Sequence, residues 1–305
     1  MNRLEAMSVF TAVVEAGSLS AAGRRLHMPL ATVSRKLSEL EKHIGARLLT
    51  RSTRKLDLTD SGQAYLAACR HILEQVGEAE RAAAGEYQAP RGELIVAAPL
   101  VFGRLHVLPL ISEFLCAYPE VNVRLMLSDR VVSFWDEHVD AAVRIGALPD
   151  STLVATRVGS VRSVVCASPA YLRTRGTPRR PSDLTRHSCI SFTLFSAPQD
   201  HWVFGGGKAA ISVPVQSRLS VNTAEAAVDA AIAGVGLARL LSYQVQAPVL
   251  DKSLTVVLRK FEAAPLPVHL IHGQQKPLPL KLRAFLDFMR PHLITRLEAL
   301  NKLSA

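Results

Sequence analysis

From Pro29 to Ile44 the apolar residues Val33, Leu37, Leu40 and Ile44 recur at steps of four, three and four, which is the spacing of one face of a helix. The other face carries Thr32, Ser34, Arg35, Lys36, Ser38 and Lys42. Pro29 suits the first helical position, where its missing N–H would be unpaired anyway and its fixed φ is already helical. Upstream, Leu19, Ala22 and Leu26 mark a short helix capped by Ser18, and His27-Met28 marks a tight break. Before that, Leu4, Met7, Phe10 and Val13, with Val9 and Val14 beside them, give a first amphipathic helix that stops at Gly17. Two short helices, the second burying one stripe while its start offers small polar and basic groups, form a helix-turn-helix pattern. The pattern points to a reader of DNA. Taken alone, it also fits an amphipathic helix pair whose polar faces are simply solvated.

Past Gly45, ARLLTRSTRKLDL alternates in short runs around Ser52-Thr53, as a two-stranded wing would, with Arg47, Arg51, Arg54 and Lys55 on or near its tip. Basic residues on such a ribbon reach backbone phosphate or the adjoining minor groove; a solvated hairpin is the plainer alternative. Thr59 and Asp60 open a long helix. Along it Tyr65, Cys69, Ile72, Val76, Ala79 and Ala83 step by four and three alternately, a coiled-coil seam. A seam needs a partner, either the helix's own domain or a second chain in a two-fold dimer. GEYQAPRGE, with Pro90 and Gly92, reads as a linker.

Beyond Gly92 strands and helices alternate: GELIVAAP, a helix from Arg104 to Ala117 packed by Leu108, Ile111 and Leu115, then VNVRLML, AAVRIG and RSVVCASP. This alternation predicts parallel sheets covered by helices. Gly205-Gly206-Gly207-Lys208 reads as a hairpin turn, and Asn222-Thr223 open the helix AEAAVDAAIAG. After a helix around Lys281 to Met289, Pro291 is expected to break the chain. HLITRLEALNKLSA then offers Leu293, Leu297 and Leu300 as an extra amphipathic helix that packs on a lobe or serves assembly.

The 305 residues suggest two or three domains, and 49% hydrophobic with 20% charged residues describes a globular chain with ample core. A net charge of +10 favours a polyanionic partner. Cys69, Cys116, Cys166 and Cys189 lie far apart without a C-x-x-C spacing, as reduced thiols of a cytosolic protein do, with a redox-sensing pair as the alternative. No apolar run is read as approaching a membrane span, and MNRLEAMSVF shows no secretory signal, so no membrane partner is expected.

Signals for catalysis are poor. GVGLAR lacks the third glycine of a dinucleotide fingerprint, and the glycine run at Gly205 lacks P-loop spacing. His269 and His272 sit three apart on an expected strand and so point to opposite faces. His201-Trp202 reads as packing. Neither an enzyme nor a cofactor or metal is expected.

The order of helix, Ser-capped helix, "PLATVSRKLSELEKHIGARLLTRSTRKLDLTDSGQAYL", long helix and Pro-Gly linker resembles the LysR-type transcriptional regulators. The matching pieces are Ala21-Ala22, Val33-Ser34-Arg35, Leu40-Glu41, Gly45 with Leu48-Leu49 and Arg51, and Leu58-Thr59 with Gly62. The resemblance implies a winged helix-turn-helix domain over 1–58, a linker and dimerisation helix over 59–86, a linker over 87–92 and an effector-binding domain over 93–305. It implies an α/β effector domain with two lobes like those of type 2 periplasmic binding proteins. Lobe I would take about 93–160 and 267–290, lobe II about 161–266, and 291–305 would be the extra helix.

On that likeness Leu30, Ala31, Thr32, Ser34 and Arg35 sit where bases or phosphates are met, with Arg51 and Arg54 on the wing. Arg35 is suited to guanine O6 and N7, and Ser34 to a phosphate. Many members carry Ser-Gln where this chain has Pro29-Leu30, so a family operator sequence does not transfer. Tyr65, Cys69, Ile72, Val76 and Ala79 are the expected dimer seam. The expected effector contacts are Pro99, Leu100, Val101, Ser128, Ile145 and Gly146 from lobe I, with Phe204, Asn222 and Thr223 from lobe II. Free N–H groups at the Thr223 helix start could hold a carboxylate. Pro99, Leu100 and Val101 replace hydroxyl residues frequent in the family, favouring an aromatic or otherwise hydrophobic carboxylate as effector.

The expected partners are double-stranded DNA with a pseudo-palindromic operator, a small-molecule effector, a homodimer or homotetramer, and RNA polymerase. The expected location is cytoplasmic and nucleoid-associated. The rivals are a solute-binding module, an enzyme with a DNA anchor, and an architectural DNA binder without effector.

Overall fold

The chain divides into two units, Met1–Ala89 and Pro90–Ala305. The computed structural model describes residues 2–51, 56–83, 89–129, 138–149, 152–192, 201–206, 210–274 and 278–303.

In the first unit, α1 (Arg3–Ala16) opens on Asn2, whose side chain accepts from the Glu5 N–H, and closes on Gly17 at φ +69°. The next helix, α2 (Leu19–Arg25), opens on Ser18, whose Oγ accepts from the Ala21 N–H at 3.1 Å. The turn that follows is tight: His27 takes φ +50°, and the Met28 N–H donates to the Gly23 carbonyl at 2.9 Å. A Cβ on Gly23 would lie 2.8 Å from the Met28 oxygen, so the turn requires glycine there. The third helix, α3, spans Leu30–Ile44.

Two expectations change here. Pro29 is the cap rather than the first helical residue; its ψ of 142° is extended, while its carbonyl accepts from Thr32 and Val33. The stripe of α3 is buried at Val33, Leu37 and Leu40, but Ile44 is exposed at the helix end, as Leu4 is on α1. The core instead takes Ala6, Val9, Phe10, Ala12 and Val13 from α1.

The wing consists of β1 (Leu49–Arg51) and β2 (Leu56–Leu58), antiparallel with Leu49 opposite Leu58. Its expected tip, Ser52 to Lys55, lies outside the described residues. The long helix α4 (Asp60–Ala83) is capped by Thr59, whose Oγ1 accepts from the Gly62 N–H at 2.9 Å. A Cβ on Gly62 would overlap the Leu48 carbonyl, so helix and wing approach each other through that glycine.

The expected seam on α4 is split. Cys69 is fully buried in the unit's own core, and Tyr65 packs there with its ring 5.7 Å from that of Phe10. Those two are therefore core residues, because α1 already covers the first turns of α4. Further along, Ile72 is 38% exposed, Val76 is half-buried and Ala79 is exposed.

The second unit holds two five-stranded sheets. The first, in spatial order β4-β3-β5-β14-β6, comprises β3 (Gly92–Ala98), β4 (Val121–Leu127), β5 (Ala141–Ile145), β6 (Val154–Val161) and β14 (Leu266–His272). The second, in order β11-β8-β12-β7-β13, comprises β7 (Ser163–Ala167), β8 (Ser188–Phe192), β11 (Gln216–Val221), β12 (Leu237–Leu241) and β13 (Thr255–Val257). The hairpin β9 (His201–Phe204) and β10 (Ile211–Pro214) stands apart, and the Gly207-Lys208 turn expected between them lies outside the described residues. The chain leaves the first sheet at Val161, enters the second at Ser163, and returns between Val257 and Leu266.

The sheets are mixed rather than parallel. The β14 strand runs antiparallel to β5 and β6, and β7 antiparallel to β12 and β13. The strands beside the crossings turn the chain between lobes without an intervening crossover helix, which parallel pairing would need.

The helices also depart from expectation. The one placed at Arg104 begins at Leu100 as α5 (Leu100–Phe102), passes through a π-turn at Gly103–Val107 and continues as α6 (Leu108–Ala117). That run of 18 residues has the length and apolarity of a membrane span, which corrects the expectation that no segment approaches one. Its inward residues, Leu110, Ile111 and Phe114, are buried in the unit's core, whereas Leu108 is 43% exposed.

The smaller helices are α7 (Pro169–Arg175), α8 (Ala224–Ile232) and α9 (Gln246–Leu250). The last, α10 (Leu280–Leu303), continues through Pro291, so the separate final helix does not exist. Pro291 and Asp287, whose carbonyl loses its N–H partner, are both exposed residues. The buried stripe Leu282, Phe285, Met289, Leu293, Leu297 and Leu300 runs on unbroken, with Leu297 against Gly159 of β6.

Candidate DNA interface and regulatory cleft

The amino end of α3 is presented open. Leu30 is 51% exposed, Ala31 and Arg35 are exposed, and Thr32 and Ser34 are half-buried. Pro29 offers no side chain to the first-turn N–H groups, and the first turn holds no acidic residue. An uncapped helix start carries partial positive charge and unpaired donors, which suit a phosphate. Arg35 lies one turn further along the same helix.

Two carboxylates hold this helix in place. Glu5 of α1 takes the Lys36 ammonium at 2.6 Å. Glu41 accepts from the backbone N–H groups of Leu48 and Leu49 at 2.8 and 3.2 Å, tying the start of the wing to the recognition helix. The sequence signalled neither pairing. Arg51 ends β1, but its side chain and the whole of Arg54 lie outside the described residues.

In the second unit the lobes meet around the start of α5. The Arg104 guanidinium in lobe I pairs with Glu225, in the first turn of α8 in lobe II, at 3.1 Å. Beside it the Phe102 and Tyr243 rings stand edge to face with centroids 5.2 Å apart. The His106 ring is 4.9 Å from Phe102 and 5.8 Å from Tyr243. Burial, with the Arg296 charge adding to it, lowers the His106 pKa to about 4.

The expected effector residues divide. The Leu100 N–H is taken by the Asp129 carboxylate at 3.0 Å, and the Pro99 carbonyl accepts from Gly103. Ser128 donates its N–H to Ala98 at the same strand end. Thr223 caps α8 through its own hydroxyl, which accepts from the Ala226 N–H at 3.3 Å, and Asn222 beside it is exposed. Helix starts from both lobes thus come together, joined by the Arg104–Glu225 pair.

Four expected contacts are placed otherwise. Val101 is only 4% exposed and belongs to the core, because α5 begins earlier than expected. Phe204 is buried in a separate cluster with Trp202, Leu184 and Tyr171, on the sheet face away from α8. Ile145 packs on the main core, and the Gly146 N–H donates to the Pro267 carbonyl.

Cys69, Cys166 and Cys189 are buried free thiols, and burial pushes the last two up to about 12, which leaves them protonated and inert. His269 and His272 lie on opposite faces of β14, and among the described residues no group of three metal-ligating side chains gathers.

A helix-turn-helix with a wing, joined to a two-lobed α/β domain whose lobes meet at helix starts, defines a DNA-binding regulator with an effector-binding domain. Residues 4–63 match the family model for the bacterial regulatory helix-turn-helix protein of the lysR family. Residues 87–294 match the LysR substrate binding domain.

The chain is 32% identical to an HTH-type transcriptional repressor of Pseudomonas aeruginosa, over 95% of this chain and 92% of that one. It is 30% identical to the HTH-type transcriptional activator AaeR of Escherichia coli, over 96% of this chain and 95% of the relative. The solved structure of CrgA, a LysR-type transcriptional regulator from Neisseria meningitidis, aligns at 30% identity with a TM-score of 0.60, covering 95% of this chain and 98% of that one. The chain belongs to the LysR family of transcriptional regulators, which are not enzymes.

Proposed function

We propose that the protein acts in the cytoplasm, at the nucleoid, as a homodimer or a dimer of dimers that sets two α3 starts into successive major grooves of a pseudo-palindromic operator. The open, uncapped start of α3, with Arg35 exposed behind it, carries this reading. Leu30 offers apolar contact, as to a thymine methyl, Ala31, Thr32 and Ser34 fit the groove wall and phosphates, and Arg35 donates to guanine. Arg51 and Arg54 on the wing reach backbone or minor groove.

The exposed Ile72 and Ala79 of α4, with the half-buried Val76 between them, support a helix-to-helix dimer contact. An effector seated between the lobes favours one packing of the assembly over another by the difference in its affinity for the two, and DNA bending and access for RNA polymerase follow. Pro99, Leu100, Ser128, Asn222 and Thr223 edge that cleft.

Footprinting on duplex DNA flanking the protein's own gene tests this. Two protected segments are expected with centres about 10 bp apart or at a multiple of it. A single unpaired footprint, or no defined site at low salt, would contradict it.

A further inference from the structure

Arg239 stands on β12, whose other residues are apolar: the strand reads LARLL. It is partly buried. Its Nε donates to Ser163 Oγ at 3.1 Å, and its guanidinium lies 5.6 Å from the centre of the Phe204 ring. Among the described residues no carboxylate pairs with it. Burial lowers its pKa. A cation withdrawn from water without a counter-ion is costly, and proteins keep one where an anion arrives.

A second group points to the same place. Ser191 is 1% exposed, and its hydroxyl has no hydrogen-bond partner among the described residues. In the β12–β8 register Leu237 faces Cys189 and Ala238 faces Ile190, so the next step sets Arg239 beside Ser191. Side chains alternate across a strand, and Leu237 and Cys189 share the cluster that also holds Phe204. Arg239 and Ser191 therefore lie on that face as well. A buried hydroxyl without a partner, beside a guanidinium that has only Ser163 and no carboxylate among the described residues, leaves donors that an acid would fill.

The helix starts at the cleft behave in the opposite way. Asp129 already occupies the Leu100 N–H, and Glu225 lies in the first turn of α8. Both would repel an acid.

We propose that Arg239 and Ser191, with Ser163 and the Phe204 ring fixing the guanidinium, make a subsite for the carboxylate of the effector. This rests on the effector-binding reading above and moves the acid-binding role from Thr223 to β12. One guanidinium balances a single negative charge and the hydroxyl adds one neutral donor, so the ligand is a monocarboxylate rather than a phosphate.

Titration calorimetry on the full-length protein with benzoate, benzamide and inorganic sulfate as probes tests it. Benzoate is expected to bind saturably at millimolar concentration or better, with benzamide and sulfate weaker by about tenfold or more. Arg239→Gln is expected to lose about tenfold or more of the benzoate affinity, and Ser191→Ala a few-fold. Without ligand, Arg239→Gln should melt no lower than the parent, since it removes an unpaired charge.

Benzoate bound equally well by Arg239→Gln, or no better than benzamide, would overturn the subsite while leaving an effector cleft elsewhere in the domain. No binding of benzoate at all would also overturn it. If, in addition, no small molecule altered the DNA footprint, the effector reading itself would fail. An Arg239→Gln protein that melts lower and still binds benzoate would make Arg239 a packing residue.

Discussion

The start of α3 and the starts of α5 and α8 are chemically alike, yet the chain treats them differently. At α3 the first-turn N–H groups have no side-chain cap and no acidic neighbour. At α5 the Asp129 carboxylate fills the Leu100 N–H, and at α8 Thr223 and Glu225 satisfy the helix end from within. Vacancy at a helix start therefore separates the surface that meets a polyanion from surfaces that hold a domain together. In the regulatory unit Arg239 on β12 and Ser191 on β8 keep unfilled donors on neighbouring strands.

The largest effect should fall on the open side. Arg35→Ala is expected to cost about 1–3 kcal/mol of specific DNA affinity, read by mobility-shift titration, with thermal unfolding unchanged. Unchanged DNA binding would remove α3 from the interface.

On the closed side, Asp129→Ala leaves the Leu100 N–H without its charged acceptor. About 1.5–3 kcal/mol of stability should go, measured by urea unfolding of the second unit. Thr223→Ala should cost about 1 kcal/mol in the same assay, the usual worth of a cap. If either change were silent, the closed starts would not be closed by these groups.

Arg104→Gln breaks an ion pair whose side chains are 54% and 44% exposed, so its effect on stability should stay below about 0.5 kcal/mol. Any larger effect on ligand binding than on unfolding would mark it as a gate between lobes.

The sign of a pH dependence follows from His106. Its folded-state pKa of about 4 lies below the usual 6.5, so between those values the unfolded chain binds a proton that the folded one refuses. Stability of the second unit should therefore fall as pH drops through that window. His106→Phe should flatten the slope, which pH-dependent thermal unfolding would show.

The reading head was largely legible because its signals are local. A stripe at helical spacing, Ser18 and Thr59 as caps, and Gly17 past a helix end all act within a few residues. The errors came from context. Tyr65 and Cys69 fit a seam by spacing, but α1 lies over them. Pro291 reads as a break, but it lies on the exposed face of α10 while the buried stripe from Leu282 to Leu300 carries the helix through.

In the regulatory unit the decisive pairings span the chain. Asp129 to Leu100 and Arg104 to Glu225 depend on which strands and lobes meet, and no period encodes that. Arg239 did leave a trace, a lone charge inside LARLL, which spacing rules for cofactor motifs passed over.

The measurement that bears most directly on the contrast places a charge at the vacant start. Pro29→Asp supplies α3 with a cap and a carboxylate where the DNA phosphate is held to sit, and both units can be followed in one mobility-shift and melting series. The first unit should melt no lower than the parent, because Asp is a good cap, while affinity for its own operator duplex should fall by about tenfold, since a like charge now faces the phosphate. Full DNA affinity in a correctly folded Pro29→Asp protein would show that the open start of α3 is not where the duplex binds.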